Sequence, residues 1–367
     1  MSGRKHCGAM VSALIGCALI VSGCAAGMSP ARSDTGRSAD APASARPFVF
    51  RTRTELVLAT SQRVVGRYRG SYSESGFTQD NSHIYALDGS GGLTAMEVRQ
   101  GAVLPGRVDC HCARVFALHG TTVGWWNEPD SLIQADLRDP HPTVRTRITL
   151  PSPDPIAPGA VVSGPHLLAA GERVLVFDRV ESPPGASWGV NHLFLVDTDT
   201  GVVRALGRVE GVNTAFDRAV LRPDGQAVAI AGRIRDGIAC GTARLLHIDL
   251  LNDRIDTLDP PVASACSSLE DLRWDGADLT TTYATWESRA ASHLVTAVWN
   301  RSGARWERRG GGDTLRYGSL APATALELRR TGSAQPGTTH AGDLLLTTPG
   351  RLQVLAHDVV DVRLPHV

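Results

Sequence analysis

Cys110-His111-Cys112 places two thiols and an imidazole within three residues, the densest local concentration of metal-binding or redox chemistry in the chain. In a strand both thiols would point to one side and the imidazole to the other. Two soft ligands at that spacing suit Cu(I), or Zn(II) with ligands supplied from elsewhere. In an oxidising compartment the same cysteines instead close a loop disulfide or pair with Cys240 and Cys266, and disulfide formation is the expectation. Gly185-Ala186-Ser187-Trp188-Gly189 has the Gly-x-Ser-x-Gly spacing of a nucleophile elbow, which needs a strand, a sharp turn and a following helix. Pro183-Pro184 precede it and a β-rich stretch from His192 follows, so the context is wrong and no catalytic residue is assigned. The other histidines lack the His-Glu-x-x-His spacing, and no P-loop or Rossmann glycine loop occurs.

The elements that must position such residues are bounded by composition. The chain has 367 residues, 42% apolar and 20% charged, enough for a large core in one large domain or two small ones. Lys plus Arg (37) equals Asp plus Glu (37), so no global positive field exists to hold nucleic acid, and none is expected as a partner. Lys5 is the only lysine. If it lies in a removed leader, no amine side chain remains for a Schiff base or a P-loop phosphate contact.

Arg4, Lys5 and His6 form a positive start, and Gly8 to Val21 is an apolar run of signal-peptide length, too short to span a bilayer. Residues 1–23 therefore read as an export signal. The run ends in Val21-Ser22-Gly23-Cys24, which resembles the lipobox of bacterial lipoproteins. That resemblance implies cleavage before Cys24, diacylglycerol on its thiol and further acylation with chains such as palmitate, hence stable attachment to the cell membrane. Cleavage would leave 35 positive against 37 negative side chains, a formal charge of −2. Residues 24–46 carry the lipidated cysteine and a stretch of Ala, Ser, Pro, Gly and Asp that buries too little to order, and read as a flexible linker. Residues 47–367 contain no further run of membrane-spanning length, so this domain is expected in the aqueous phase outside the cytoplasmic membrane.

Six apolar β-rich segments recur in this domain, beginning near residues 84, 132, 193, 245, 294 and 344, at offsets of 48, 61, 52, 49 and 50. Most precede a turn and another short strand, as in Thr198-Asp199-Thr200-Gly201 before Val202 and Asn300-Arg301-Ser302-Gly303 before Ala304. Glycine and asparagine supply the positive φ that tight hairpins need. Upstream, Ala219-Val220-Leu221-Arg222-Pro223-Asp224-Gly225-Gln226-Ala227-Val228-Ala229-Ile230 reads as a hairpin about a Pro-Asp-Gly turn. This segment resembles the repeat of TolB-like β-propellers. Leu272 to Leu279 keeps the Asp275-Gly276 turn without the proline, and His119-Gly120 is weaker still.

Four short antiparallel strands per copy and no long amphipathic helix point to an all-β chain folded as a six-bladed β-propeller. The 61-residue offset and degraded turns also allow seven blades or a β-sandwich pair. By family resemblance, Phe48-Val49-Phe50 would complete the last blade. In such a propeller Cys240 and Cys266 lie in loops opening on one face, and their bridge would contribute roughly 3.5 kcal/mol of chain-entropy stabilisation. Asp109, Asp217, Asp271 and Asp313 each stand just ahead of an expected channel-lining strand. Four carboxylates at one channel mouth could hold Ca²⁺ or a cationic ligand, by resemblance to lactonase-like propellers, whereas isolated turn hydrogen bonds need no ligand. The functional expectation is a non-catalytic, lipid-anchored scaffold that binds an envelope protein or ligand. The alternative is a metal-dependent propeller enzyme or metal-binding protein.

Overall fold

Short strands whose middle members are buried on both faces recur around a ring. The computed structural model describes residues 46–366 except 102–106, 154–157, 187, 214–215, 217, 235–239, 289–292 and 333–339. The strands belong to the compact unit Ser44–Val367.

β1 (Phe48–Arg51), β2 (Glu55–Ala59) and β3 (Val64–Arg69) are the outer strands of blade 1. Blade 2 is β4 (Tyr72–Phe77), β5 (His83–Asp88), β6 (Gly92–Glu97) and β7 (Val108–Asp109). Blade 3 is β8 (Phe116–His119), β9 (Thr122–Asn127), β10 (Ser131–Asp136) and β11 (Asp139–Arg147). The two-residue β12 (Val161–Val162) precedes blade 4, which comprises β13 (His166–Ala170), β14 (Val174–Ser182), β15 (Trp188–Asp197) and β16 (Val203–Asn213). Blade 5 is β17 (Arg218–Leu221), β18 (Ala227–Ile234), β19 (Thr242–Asp249) and β20 (Arg254–Leu258). Blade 6 is β21 (Cys266–Asp275), β22 (Asp278–Trp286), β23 (Val295–Ser302) and β24 (Arg305–Arg309). Blade 7 is β25 (Thr314–Ala321), β26 (Thr324–Arg330), β27 (Gly342–Thr348) and β28 (Arg351–Val359). β29 (Asp361–Arg363) then returns to pair with β1 and becomes the innermost strand of blade 1. Among the described residues the fold is thus all-β with seven blades, and none forms a helix.

The ring has seven blades rather than six because blade 1 is assembled from both ends of the chain. Phe48-Val49-Phe50 does not complete the last blade; it is the second strand of an additional one. Five of the six recurring segments are third strands of their blades, but His83–Asp88 is a second strand, and the third strand there is β6. Third strands begin at 55, 92 and 131 in the first three blades and at 188, 242, 295 and 342 in the others, so a single period near fifty misaligns the early copies.

Second and third strands lie between neighbouring blades and read as continuous apolar runs, as in Ala227-Val228-Ala229-Ile230-Ala231, buried throughout. Outer strands face water: β24 is Arg-Trp-Glu-Arg-Arg, and the first four residues of β28 are exposed. Apolar clusters fill six of the seven seams. Val49, Leu58, Ile84 and Met96 join blades 1 and 2, and Trp126 packs edge-on against Phe177 at 4.8 Å between blades 3 and 4. The seam between blades 6 and 7 is polar: Thr282 Oγ1 donates to the Leu315 carbonyl at 2.6 Å, and Thr296 and Thr314 are both fully buried.

The turns follow the sequence reading. Pro223-Asp224-Gly225 closes the β17–β18 hairpin with Gly225 at φ 71°, and Asp275-Gly276 closes β21–β22 with Gly276 at φ 60°. Among the described residues no helix is long and apolar enough to cross a membrane.

Candidate binding cavity in the central channel

Inner strands β29, β4, β8, β13, β17, β21 and β25 surround the channel, and their C-terminal halves, with the turns that follow, enclose a cavity of about 630 Å³. That lies within the range of roughly 300–1,000 Å³ typical of small-molecule sites. Its walls mix Phe116, Leu118, Leu221 and Trp274 with five interior arginines, Arg114, Arg218, Arg273, Arg316 and Arg363.

Two carboxylates organise three of these arginines. Asp271, only 1% exposed, accepts Arg363 Nη1 at 3.2 Å and lies 3.4 Å from both Arg316 Nε and Arg273 Nη1. Asp361 accepts Arg363 Nε at 2.9 Å and Arg316 Nε at 3.1 Å, with Arg51 Nε at 3.8 Å. Burial alone would raise the Asp271 pKa, but Arg316, Arg363 and Arg273 together hold it well below the usual carboxylate range. The same balance, with Arg363 and Arg316 outweighing burial, depresses Asp361. Burial opposes the Arg363 charge and the two aspartates more than restore it, so its pKa rises. Glu74 accepts the Val115 amide at 3.3 Å, and burial pushes its carboxyl upward against the pull of Arg114.

Arg218 differs from this set. It opens β17, lines the cavity, and among the described residues its guanidinium has no hydrogen-bond or ion-pair partner. Burial lowers its pKa, and the positive neighbour Arg316 adds to the effect. Arg114 sits over the Phe116 ring at 5.1 Å and reaches the Leu168 carbonyl of β13 at 3.5 Å. At the mouth the charges are paired, Arg222 with Asp224 at 2.8 Å and Arg173 with Asp199 at 2.8 Å.

Of the four aspartates expected at one channel mouth, the three described ones are not brought together. Asp109 ends the outermost strand of blade 2, is exposed, and pairs with Arg107 at 3.1 Å. Asp271 lies within β21 rather than ahead of it, saturated by arginines. Asp313 occupies a left-handed turn position, φ 58°, and binds Arg330. Asp217 lies outside the described residues. Among the described residues no group of three His, Cys, Asp or Glu side chains is placed to hold a metal ion.

The cysteines pair as Cys110–Cys112 and Cys240–Cys266. Residues 110–112 follow β7 as irregular backbone rather than a strand, with His111 at φ 49°. Both thiols are consumed, which removes the sulfur ligands of a Cys-His-Cys metal site. The loop is pressed on the β5–β6 turn: Cys110 and His111 amides both donate to the Gly91 carbonyl, and a Cβ on Gly91 would fall 2.7 Å from His111 Cα. Gly185 to Gly189 joins two strands, β14 and β15, without the helix a nucleophile elbow needs, and Ser187 lies outside the described residues. Cys24 does as well.

The arginine cluster was not among the expected site residues, although a signal for it exists. Asp271-Leu272-Arg273 and Asp361-Val362-Arg363 repeat the order acid, apolar residue, arginine on inner strands, and Leu315-Arg316-Tyr317 keeps the arginine between apolar neighbours.

No family model matches the chain, and no curated protein matches its sequence. Solved structures align with it at low identity. The tricorn protease aligns at 9% identity over 85% of this chain and 33% of its own, with a TM-score of 0.49. An oligogalacturonate lyase from Vibrio parahaemolyticus aligns at 13% over 85% of each chain, with a TM-score of 0.47. A TolB-type chain from Agrobacterium tumefaciens aligns at 12% over 72% of this chain and 89% of its own, with a TM-score of 0.42. This chain spans a third of the tricorn protease, and the seven-bladed ring rests on its own strand pairing.

Proposed function

We propose that the chain is an exported lipoprotein, cleaved before Cys24 and held on the cell membrane by acyl groups, whose propeller binds an envelope ligand in its channel without transforming it. The observation that carries the binding reading is the chemistry of the cavity. Its interior is dominated by arginines, which stay protonated in proteins and so supply fixed charge and hydrogen bonds rather than proton transfer. The lipobox-like Val21-Ser22-Gly23-Cys24 supports the anchor, and two disulfides fit an oxidising compartment outside the cytoplasm.

The test is mass spectrometry of the full protein extracted from its native membrane. The expected result is an acylated N-terminal Cys24, lost in Cys24→Ser together with membrane attachment, and a compound released unchanged on denaturation. A non-acylated mature N-terminus would overturn the anchor. Chemical conversion of the released compound on re-addition to the protein would overturn the non-catalytic role.

A further inference from the structure

The cavity contains more positive charge than the fold uses. Around the channel Arg51, Arg114, Arg218, Arg273, Arg316 and Arg363 face Glu74, Asp271, Asp361 and, beside Arg273, Asp275. Asp271 and Asp361 are spent on Arg316, Arg363, Arg273 and Arg51. Glu74 turns an oxygen to a backbone amide. Arg218 is left with no partner among the described residues, and Arg114 with one long carbonyl contact and a ring face. The two flank one inner strand: Arg114 touches Leu168 of β13, and β13 packs against β17, which Arg218 opens.

A half-buried guanidinium without a protein partner keeps only part of the hydration of its five N–H donors, and an oxyanion, which accepts bidentately from the planar fork, restores what is missing. Water entering through the open mouth supplies part of that hydration, but among the described residues no carboxylate lies within ion-pair distance of Arg218 or Arg114, and Asp224 at the mouth is already paired with Arg222. We propose that the central cavity binds an organic or inorganic oxyanion, carboxylate or phosphate, with its charged group at Arg218 and Arg114 and any apolar body against Phe116, Leu221 and Trp274. This rests on the reading of the cavity as a ligand site. It replaces the cationic ligand that the four aspartates suggest from sequence, because of the three described, Asp271 is neutralised by arginines and Asp109 and Asp313 do not line the cavity.

The experiment titrates the full mature protein in detergent with citrate and, separately, with pyrophosphate, following Trp fluorescence and thermal melting, against sodium chloride of matched ionic strength and neutral glucose. Citrate binding alone marks a carboxylate ligand, and pyrophosphate binding alone a phosphate. The expected result is saturable binding of at least one anion with Kd at or below about 1 mM, weakened at least tenfold in Arg218→Gln. Arg218→Gln without anion should melt no lower than the parent, since it removes repulsion with Arg316, and Arg218→Lys should keep part of the binding. Arg114→Gln is the second variant, with the same loss expected, should Arg218→Gln fail to fold. Arg138→Gln, on a surface pair with Asp136, should leave binding unchanged. Responses no larger than with sodium chloride, or unaltered affinity in both cavity variants, would overturn the proposal. If the compound released from the native protein is neutral, the anion inference fails and the binding reading stands. If no compound is released and neither probe binds, both fail.

Discussion

Asp271 Oδ1 and Arg363 Nη1 lie 3.2 Å apart although 92 residues separate them, and this contact ties blade 6 to the C-terminal strand of blade 1 across the channel. The carboxylate is 1% exposed and serves three arginines. Asp271→Asn leaves those guanidinium groups without their shared counter-charge, and a loss of about 3–5 kcal/mol is expected in chemical denaturation. Arg363→Ala made in the Asp271→Asn background should cost far less than it does alone, and additive losses would show that the pair is not coupled.

Acid should act through the same network. Asp271 and Asp361 have depressed folded-state pKa values, so the stability they contribute is present above the unfolded carboxylate value near pH 4 and is lost as pH falls through the folded values. Melting temperature should be insensitive to these groups between pH 5 and 7 and should fall steeply below about pH 4. Asp271→Asn should flatten that fall, and an unchanged acid profile in the variant would assign the sensitivity to other groups.

The polar seam between blades 6 and 7 offers a contrast between two neighbouring threonines. Thr282→Val removes the donor to the Leu315 carbonyl and should cost about 1–3 kcal/mol. Thr296 Oγ1 is buried with no hydrogen-bond partner, so Thr296→Val, of the same shape, should be neutral or mildly stabilising. Equal losses at both positions in urea denaturation would contradict the hydrogen-bond assignment.

Of the two disulfides, loop length ranks their effects. Cys240–Cys266 spans 26 residues and should contribute roughly 3.5 kcal/mol, whereas Cys110–Cys112 spans two and should contribute roughly 1 kcal/mol by the same chain-entropy argument. Alkylation before reduction should modify neither pair. Replacing Cys240 and Cys266 by serine should lower the melting temperature by several degrees more than replacing Cys110 and Cys112, and a reversed order would sink the argument.

The propeller was legible because central strands such as Ala227–Ala231 are apolar on both faces and their hairpins end in Asp-Gly or Pro-Asp-Gly. The blade count was not, because β29 has only three residues and its partner β1 lies more than three hundred residues away in sequence. No local period contains that pairing. The Cys240–Cys266 bridge followed from which face its loops occupy. The arginine cluster escapes a sequence reading for an electrostatic reason. Aspartates near inner strands suggest a cation site when read alone, but Asp271-Leu272-Arg273 and Asp361-Val362-Arg363 carry their own counter-charges, and the cavity arginines come from five different blades.

The closure of blade 1 by β29 sets an order of events in time. A chain that emerges N-terminus first presents β1, with Val49 and Phe50, long before Asp361 to Arg363 exist to cover its inner edge. Through the appearance of six further blades that strand edge stays open to proteases and to pairing with other chains. Blade 1 and the Arg363 contacts of the channel are completed in the same step, so the finished ring and the finished cavity arise together, once residues 361–363 have emerged.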